Sequence, residues 1–196
     1  MIKKLVTLTL FLFSYSVLAE NVIYLSGDEA KKRLEKAIEA IEENPENIDE
    51  LKNAGILMHQ MNRKEPNKEL VRDGEKYLKT AWKKNKKDYE AMAWLGSIIT
   101  MKAMFETDPG KQTLYVKMGA KKMDKAIKKA PGNKIVRLTR ANNSMELPPF
   151  LKRTRFAVTD FNEFLSLCKS QACEDHEIKD ANAKLAQAES IVASID

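Results

Sequence analysis

The chain predicts an all-α fold, and three observations carry that prediction. Glycine and proline are scarce, at 7 and 6 residues of 196. Ala, Leu, Lys, Glu and Met dominate, and these residues lose little entropy on entering a helix. After Ile23-Tyr24-Leu25 no segment alternates in the β-branched pattern of a strand; apolar residues recur instead at steps of three and four in about eight segments. No Ser/Gly/Pro-rich linker divides residues 20–196, so one helical domain is expected, long enough to bury a core without staples.

A stretch of another kind precedes these segments. Lys3 and Lys4 lead into an apolar run, Leu5 to Val17, and Val17-Leu18-Ala19 puts small residues three and one positions before Glu20. This is the pattern of a secretory signal peptide cleaved after Ala19. About 13 apolar residues fall short of the roughly 20 that span a bilayer. No cysteine follows the run, as a lipoprotein anchor would need. The lysine-rich start suits bacterial export, so a periplasmic or secreted product with no later membrane span is expected. Losing Lys3 and Lys4 lowers the formal charge from +6 to +4. The remaining Lys, Glu and Asp are interleaved like solvated helix surfaces, which argues against a nucleic-acid partner.

The first segment runs from Asp28 to Glu43, with Ser26 as N-cap, acidic residues in its first turn, and Leu34, Ala37, Ile38 and Ile41 on one stripe. Asn44-Pro45 ends it. The second, Ile48 to Arg63, turns Leu51, Ala54, Met58 and Met61 inward, and Glu65-Pro66-Asn67 breaks it. The third, Lys68 to Lys84, packs through Leu70, Tyr77, Leu78, Ala81 and Trp82. The fourth, Asp88 to Phe105, is the most apolar and is expected at the centre. Asp108-Pro109-Gly110 is turn chemistry, so the fifth helix is read over Thr113 to Lys129, ended by Ala130-Pro131-Gly132-Asn133. Lys134 to Met145 is short and stopped by Leu147-Pro148-Pro149. Leu151 to Lys169 and Glu174 to Ile195 complete the series.

These segments repeat in pairs. Met92, Leu95, Gly96 and Ile99 show large and small apolar positions at fixed steps, and Gly119, Met123, Ala126 and Pro131 answer them one helix later. Leu51, Ala54, Gly55 and Met58 pair likewise with Gly74, Leu78 and Ala81, although Lys86 stands where proline would be. A poorer copy pairs Ala141 with Ala157, Phe161 and Phe164. Residues 48–168 thus resemble the tetratricopeptide repeat. The resemblance implies an α-solenoid of about three helix pairs, with the first and last helices as caps. A generic helical bundle is the alternative. Gly55 and Gly96 are 41 residues apart, and Ala81 and Ala126 are 45 apart, beyond the usual period of about 34, so enlarged inner loops are expected.

The resemblance also implies a concave, partner-facing surface from the first helix of each pair. Its positions here are Lys52, Ile56, His59 and Gln60, then Ala93, Ser97, Thr100 and Met101, then Leu138, Asn142 and Met145. Mixed apolar and uncharged polar groups suit a peptide or partner helix. The implied function is an exported, non-catalytic adaptor that binds a protein or peptide of the cell envelope, with no cofactor. A small-ligand or metal-binding helical protein is the second reading and an enzyme the third. With His59 and His176 the only histidines, and no nucleophile elbow, His-Glu-x-x-His helix or phosphate loop, common mechanisms lack a part.

Three side-chain groups hold candidate chemistry. Cys168 and Cys173 are the only cysteines, and export favours a disulfide between them. Joined by His176 and by Glu174 or Asp175, they could instead hold zinc, at a spacing that matches no common closed site. Met58, His59 and Met61, with Met101 and Met104, offer soft ligands for copper(I), but methionines at helical spacing ordinarily fill a core. Arg137, Arg140, Lys152, Arg153 and Arg155 form a basic cluster. Arg137 and Arg140 fall at normally apolar repeat positions, so either the register slips or carboxylates such as Asp160 or Glu163 neutralise them. An anion or acidic-partner site is the functional alternative.

Overall fold

The computed structural model describes residues 22–195, which form eight α-helices and no strand. They are α1 (Gly27–Glu43), α2 (Ile48–Lys64), α3 (Lys68–Lys84), α4 (Tyr89–Met101), α5 (Pro109–Lys129), α6 (Lys134–Glu146), α7 (Thr154–Leu167) and α8 (Asp175–Ile195). The expected signal peptide lies outside the described residues. Among those residues, no helix is long and apolar enough to cross a membrane.

Three connections share one build. Asn47, Asp88 and Asn133 cap α2, α4 and α6, each side chain accepting from the backbone N–H three residues on, of Glu50, Ala91 and Val136. In each loop the capping residue's N–H also bonds the carbonyl three back, at Asn44, Asn85 or Ala130. These caps recur at the spacings of 41 and 45 already seen in Gly55–Gly96 and Ala81–Ala126.

The boundaries differ from expectation where capping outweighs turn chemistry. Asp108 accepts from the N–H of Lys111, and Pro109 occupies the first helical turn, where a missing N–H costs nothing; α5 therefore starts four residues before Thr113. Helix α4 stops at Met101 and tightens into a 3-10 turn over Lys102–Phe105. Pro149–Leu151 is a separate 3-10 turn, which delays α7 to Thr154. The Ser26 side chain makes no capping bond. Enlarged inner loops account for only part of the long period. The α2–α3 connection is three residues, and both of its helices run to 17.

Each helix packs on its neighbours in sequence, and α4 also touches α2 and α6. Every residue of α4 from Ala91 to Met101 is buried, which places this helix at the centre, as its composition predicts. Its neighbours approach through glycines. A Cβ on Gly119 would stand 2.3 Å from the Gly96 carbonyl oxygen, and one on Gly55 would stand 2.4 Å from the Leu78 side chain and 3.1 Å from the Gly74 carbonyl. The α2–α3 and α4–α5 crossings therefore bring backbones together where only glycine fits. The α6–α7 pair has Ala141 and Ala157 there, buried with Phe161 and Phe164 against α8.

Candidate functional site

Helices α2, α4 and α6 present one side to each other and build a buried polar knot. His59 Nε2 lies 2.8 Å from Ser97 Oγ, which also accepts from Asn143 Nδ2 at 3.2 Å. Asn143 Nδ2 donates to Thr100 Oγ1 at 2.6 Å, and the Thr100 hydroxyl donates to the Ser97 carbonyl at 2.6 Å. The Trp94 ring meets His59 edge-on at 5.0 Å. Burial, with a smaller contribution from Arg63, pushes the His59 pKa down to about 3, so the imidazole is neutral at physiological pH. His59 and Ser97 have nucleophile–base spacing. Yet Nδ1 has no hydrogen-bond partner to orient the ring, and Ser97 is 2 % exposed.

Residues 22–26, turned over 22–24, cross this surface. Val22 is buried, Ile23 packs into the core, and Gln60 Nε2 donates to the Ile23 carbonyl at 2.9 Å. Tyr24 then spans to the far end of the chain. Its hydroxyl donates to Glu177 Oε1 at 2.7 Å, and its ring meets His176 edge-on at 4.8 Å. Burial and Glu177 together hold the Tyr24 hydroxyl well above its ordinary range. Burial opposes ionisation of Glu177, but the bonds from Tyr24 and the Glu174 N–H, with Lys134 nearby, outweigh it and lower its pKa. Beside this strap lies a recess of about 630 Å³, bordered by Gln60, Met61, Arg63, Met101, Met104 and Glu146. A smaller cavity of about 20 Å³ lies at the knot itself.

The structure gathers some of the predicted partner-facing residues and scatters others. His59, Gln60, Ser97, Leu138 and Asn142 border the small cavity, and Thr100 and Met101 border the apolar recess next to it. Ile56 and Ala93 are core residues, 3 % and 0 % exposed. Lys52 is paired with Asp88 at 3.2 Å and Glu90 at 3.7 Å; burial opposes its charge, yet these carboxylates raise its pKa. Met145 packs against the α6–α8 core, and Asn142 Oδ1 accepts from Lys184 Nζ of α8 at 2.9 Å. Tyr24 and Glu177 carry no sequence signal, because nothing local links residues 153 apart. Asn143 sits one residue from the expected Asn142, and only the twist of α6 against α4 selects it.

The basic cluster divides in two. Arg140 grips the fully buried Asp160 through Nε at 2.6 Å and Nη2 at 2.9 Å, and reaches Asp124 at 3.0 Å. Arg137 bonds Asp160 at 2.9 Å. Arg153 forks onto Asp124 at 2.8 and 3.0 Å, and Phe156 lies under both Arg140 and Arg153. Burial works against the Arg140 charge, but Asp160 and Asp124 raise its pKa, and the same network lowers that of Asp124 despite burial. Lys152 and Arg155 are exposed, Lys152 at φ 55°.

Cys168 and Cys173 form a disulfide, with Cα atoms 5.4 Å apart. The sulfurs are thereby removed from the zinc alternative, which needs thiolates, and His176 faces Tyr24 instead. Among the copper candidates Met58 is core, while the Asn62 amide donates to Met101 Sδ at 3.4 Å and Met104 Sδ at 3.7 Å. No group of three or more His, Cys, Asp and Glu side chains is placed to hold a metal among the described residues. No family model, curated protein or solved structure matches the chain.

Proposed function

We propose that this protein is an exported, tetratricopeptide-like adaptor that holds a protein or peptide of the cell envelope on the surface of α2, α4 and α6, without catalysis. One observation carries the reading: the chain's own segment 22–26 lies on that surface, with the Ile23 carbonyl held by the Gln60 side chain. A surface that holds a backbone carbonyl through a side-chain amide, with a 630 Å³ recess alongside, has the chemistry of a peptide groove. The glycine crossings of α2–α3 and α4–α5 and the recurring caps support a repeat origin for the scaffold.

The test is capture from a detergent-solubilised envelope fraction, with each bound protein identified. Gln60→Ala and Asn142→Trp are expected to reduce the specific partner at least tenfold while leaving the thermal transition near that of the parent. Undiminished capture by both variants would count against the groove. Ser97 is unsuitable for this purpose, because a bulky residue inside the knot reads folding and not binding. A small-ligand protein is the second reading, favoured by an apolar recess of about 400 Å³ bordered by Met101, Met104, Val116, Leu147 and Phe150. Native mass spectrometry that finds a retained small molecule selects it.

A further inference from the structure

The outer face of α5 is charged and apolar in a way the groove does not use. This helix carries seven lysines against one carboxylate, Asp124, and that carboxylate is already held by Arg140 and Arg153. Lys117, Lys121, Lys125 and Lys128 are exposed, and their spacing of four, four and three residues sets them on one stripe. None of the four has an ion-pair partner among the described residues. The field extends toward α3. Burial and the neighbouring charges of Lys125, Lys86 and Lys79 depress the Lys122 pKa, and Lys122 and Lys86 both lie over Trp82, at 4.7 and 3.7 Å from the ring centroid. The seven lysines already lie within one stretch of the sequence, and folding sets them beside Lys79, Lys86 and Trp82.

Large apolar side chains project from the same region. Leu114 and Met118, one turn apart on α5, are 53 % and 45 % exposed, and Phe150 is 78 % exposed. Phe150 is presented by a stiff connector, because Pro148 and Pro149 precede it and Lys152 closes the turn in the left-handed region. That connector lies along α5. Thr113, Lys117, Phe150 and Leu151 border one recess, and Lys117 to Lys128 with Leu151 and Arg153 border the next, of about 630 Å³.

From this juxtaposition we infer that the α5 face, with the Phe150 turn, docks the protein on an anionic lipid surface. The order of groups matches the order of a bilayer: lysines for phosphate headgroups, and projecting Phe150, Leu114 and Met118 for the boundary beneath. An acidic peptide would satisfy the lysines, but it would offer nothing to bury side chains that stand out from the surface. The lysine-lined recess takes headgroups without moving the fold. This inference does not rest on the peptide groove, although the recess beside Phe150 is also bordered by Thr100 and Met101 of α4.

Co-sedimentation of the full chain with vesicles of phosphatidylcholine, alone or mixed with phosphatidylglycerol, tests it. Binding is expected to be stronger to the mixed vesicles and to weaken as salt rises. Lys117→Glu/Lys121→Glu/Lys125→Glu should lower partitioning by roughly 100-fold, since each charge is worth several-fold near such a surface. Phe150→Ser should lower it roughly tenfold. Any contribution of the apolar stretch from Leu5 to Val17 is common to all variants, so the charge-reversed protein controls for it. Phe150→Trp supplies a readout in an otherwise native chain: its emission should shift to the blue with mixed vesicles. Equal binding to both vesicle types, unchanged partitioning after charge reversal, or no blue shift would overturn the inference. So would saturable binding of a polyglutamate peptide that mixed vesicles do not displace, which would make the partner an acidic protein segment.

Discussion

The two halves of this molecule hold their helix pairs together by opposite means. In α2–α3 and α4–α5 the seam is glycine, and backbone meets backbone at Gly55–Gly74 and Gly96–Gly119. In α6–α7 the seam widens to alanine, and the space beside it is filled by Arg137 and Arg140 closed on the buried Asp160. A glycine seam draws on dispersion and burial, which tolerate salt and pH but no added atom. An ion seam tolerates some reshaping, but it cannot lose a partner without stranding a charge. Arg140 also reaches back to Asp124 on α5, so the third pair is joined to the second by charge as well as by the packing of Val136 against Met92, Ala93 and Ile127.

Breaking the ion seam should do the most damage. Asp160→Ala leaves Arg137 and Arg140 short of their shared carboxylate, and the expected loss is about 3–5 kcal/mol. That corresponds to a fall of roughly 10 °C in Tm by calorimetry. The glycine seam comes next. Gly119→Ala places a methyl against the Gly96 carbonyl and should cost about 2 kcal/mol in urea unfolding. Gly132→Ala, whose added Cβ would meet nothing within 4 Å, should change stability by less than about 0.5 kcal/mol. A Gly119→Ala loss no larger than that of Gly132→Ala would show that the seam is not close-packed.

The polar knot between the seams should give the chain a pH-dependent term. His59 has a folded pKa of about 3, below its unfolded value, so the unfolded state takes up the proton first as pH falls. Its stabilising contribution is whole above about pH 6.5 and is lost toward pH 3, at about 1.4 kcal/mol per pH unit. Comparing unfolding free energies of parent and His59→Gln from pH 7 to pH 4 isolates this slope, and parallel curves would disprove it. The strap gives a smaller effect than either seam. Tyr24→Phe removes the bond to Glu177 and should cost about 1 kcal/mol. It should also speed proteolytic cleavage ahead of Gly27, seen by mass spectrometry, because the strap then loses its side-chain bond to α8.

Local chemistry made much of this legible. The helices, the central place of α4 and the small positions 55, 74, 96 and 119 all follow from residues a few steps apart, where periodicity and capping act. Asp160 was readable as a partner for Arg137 and Arg140 because a buried guanidinium needs a carboxylate and the next helix carried one. Asp124 was not, since it lies on the preceding pair and looks like any exposed helix residue. The partner-facing positions that the repeat pattern implies lie on α2, α4 and α6. Helix rotation then buried Ile56 and Ala93 and left Gln60 and Asn142 within reach of solvent.

By itself the amino-acid sequence determined which segments are helical and which faces are apolar, because those properties depend on backbone propensity and on spacings within one or two turns; the end of α4 and the starts of α5 and α7 lie several residues from their expected places. Only the tertiary structure decided that segment 22–26 reaches Glu177 through Tyr24, that His59, Ser97, Thr100 and Asn143 form one knot, and that the lysines of α5 stand beside Trp82 and the Phe150 turn. Each of those depends on the angle and rotation at which helices pack, and these are fixed by contacts summed over the whole core.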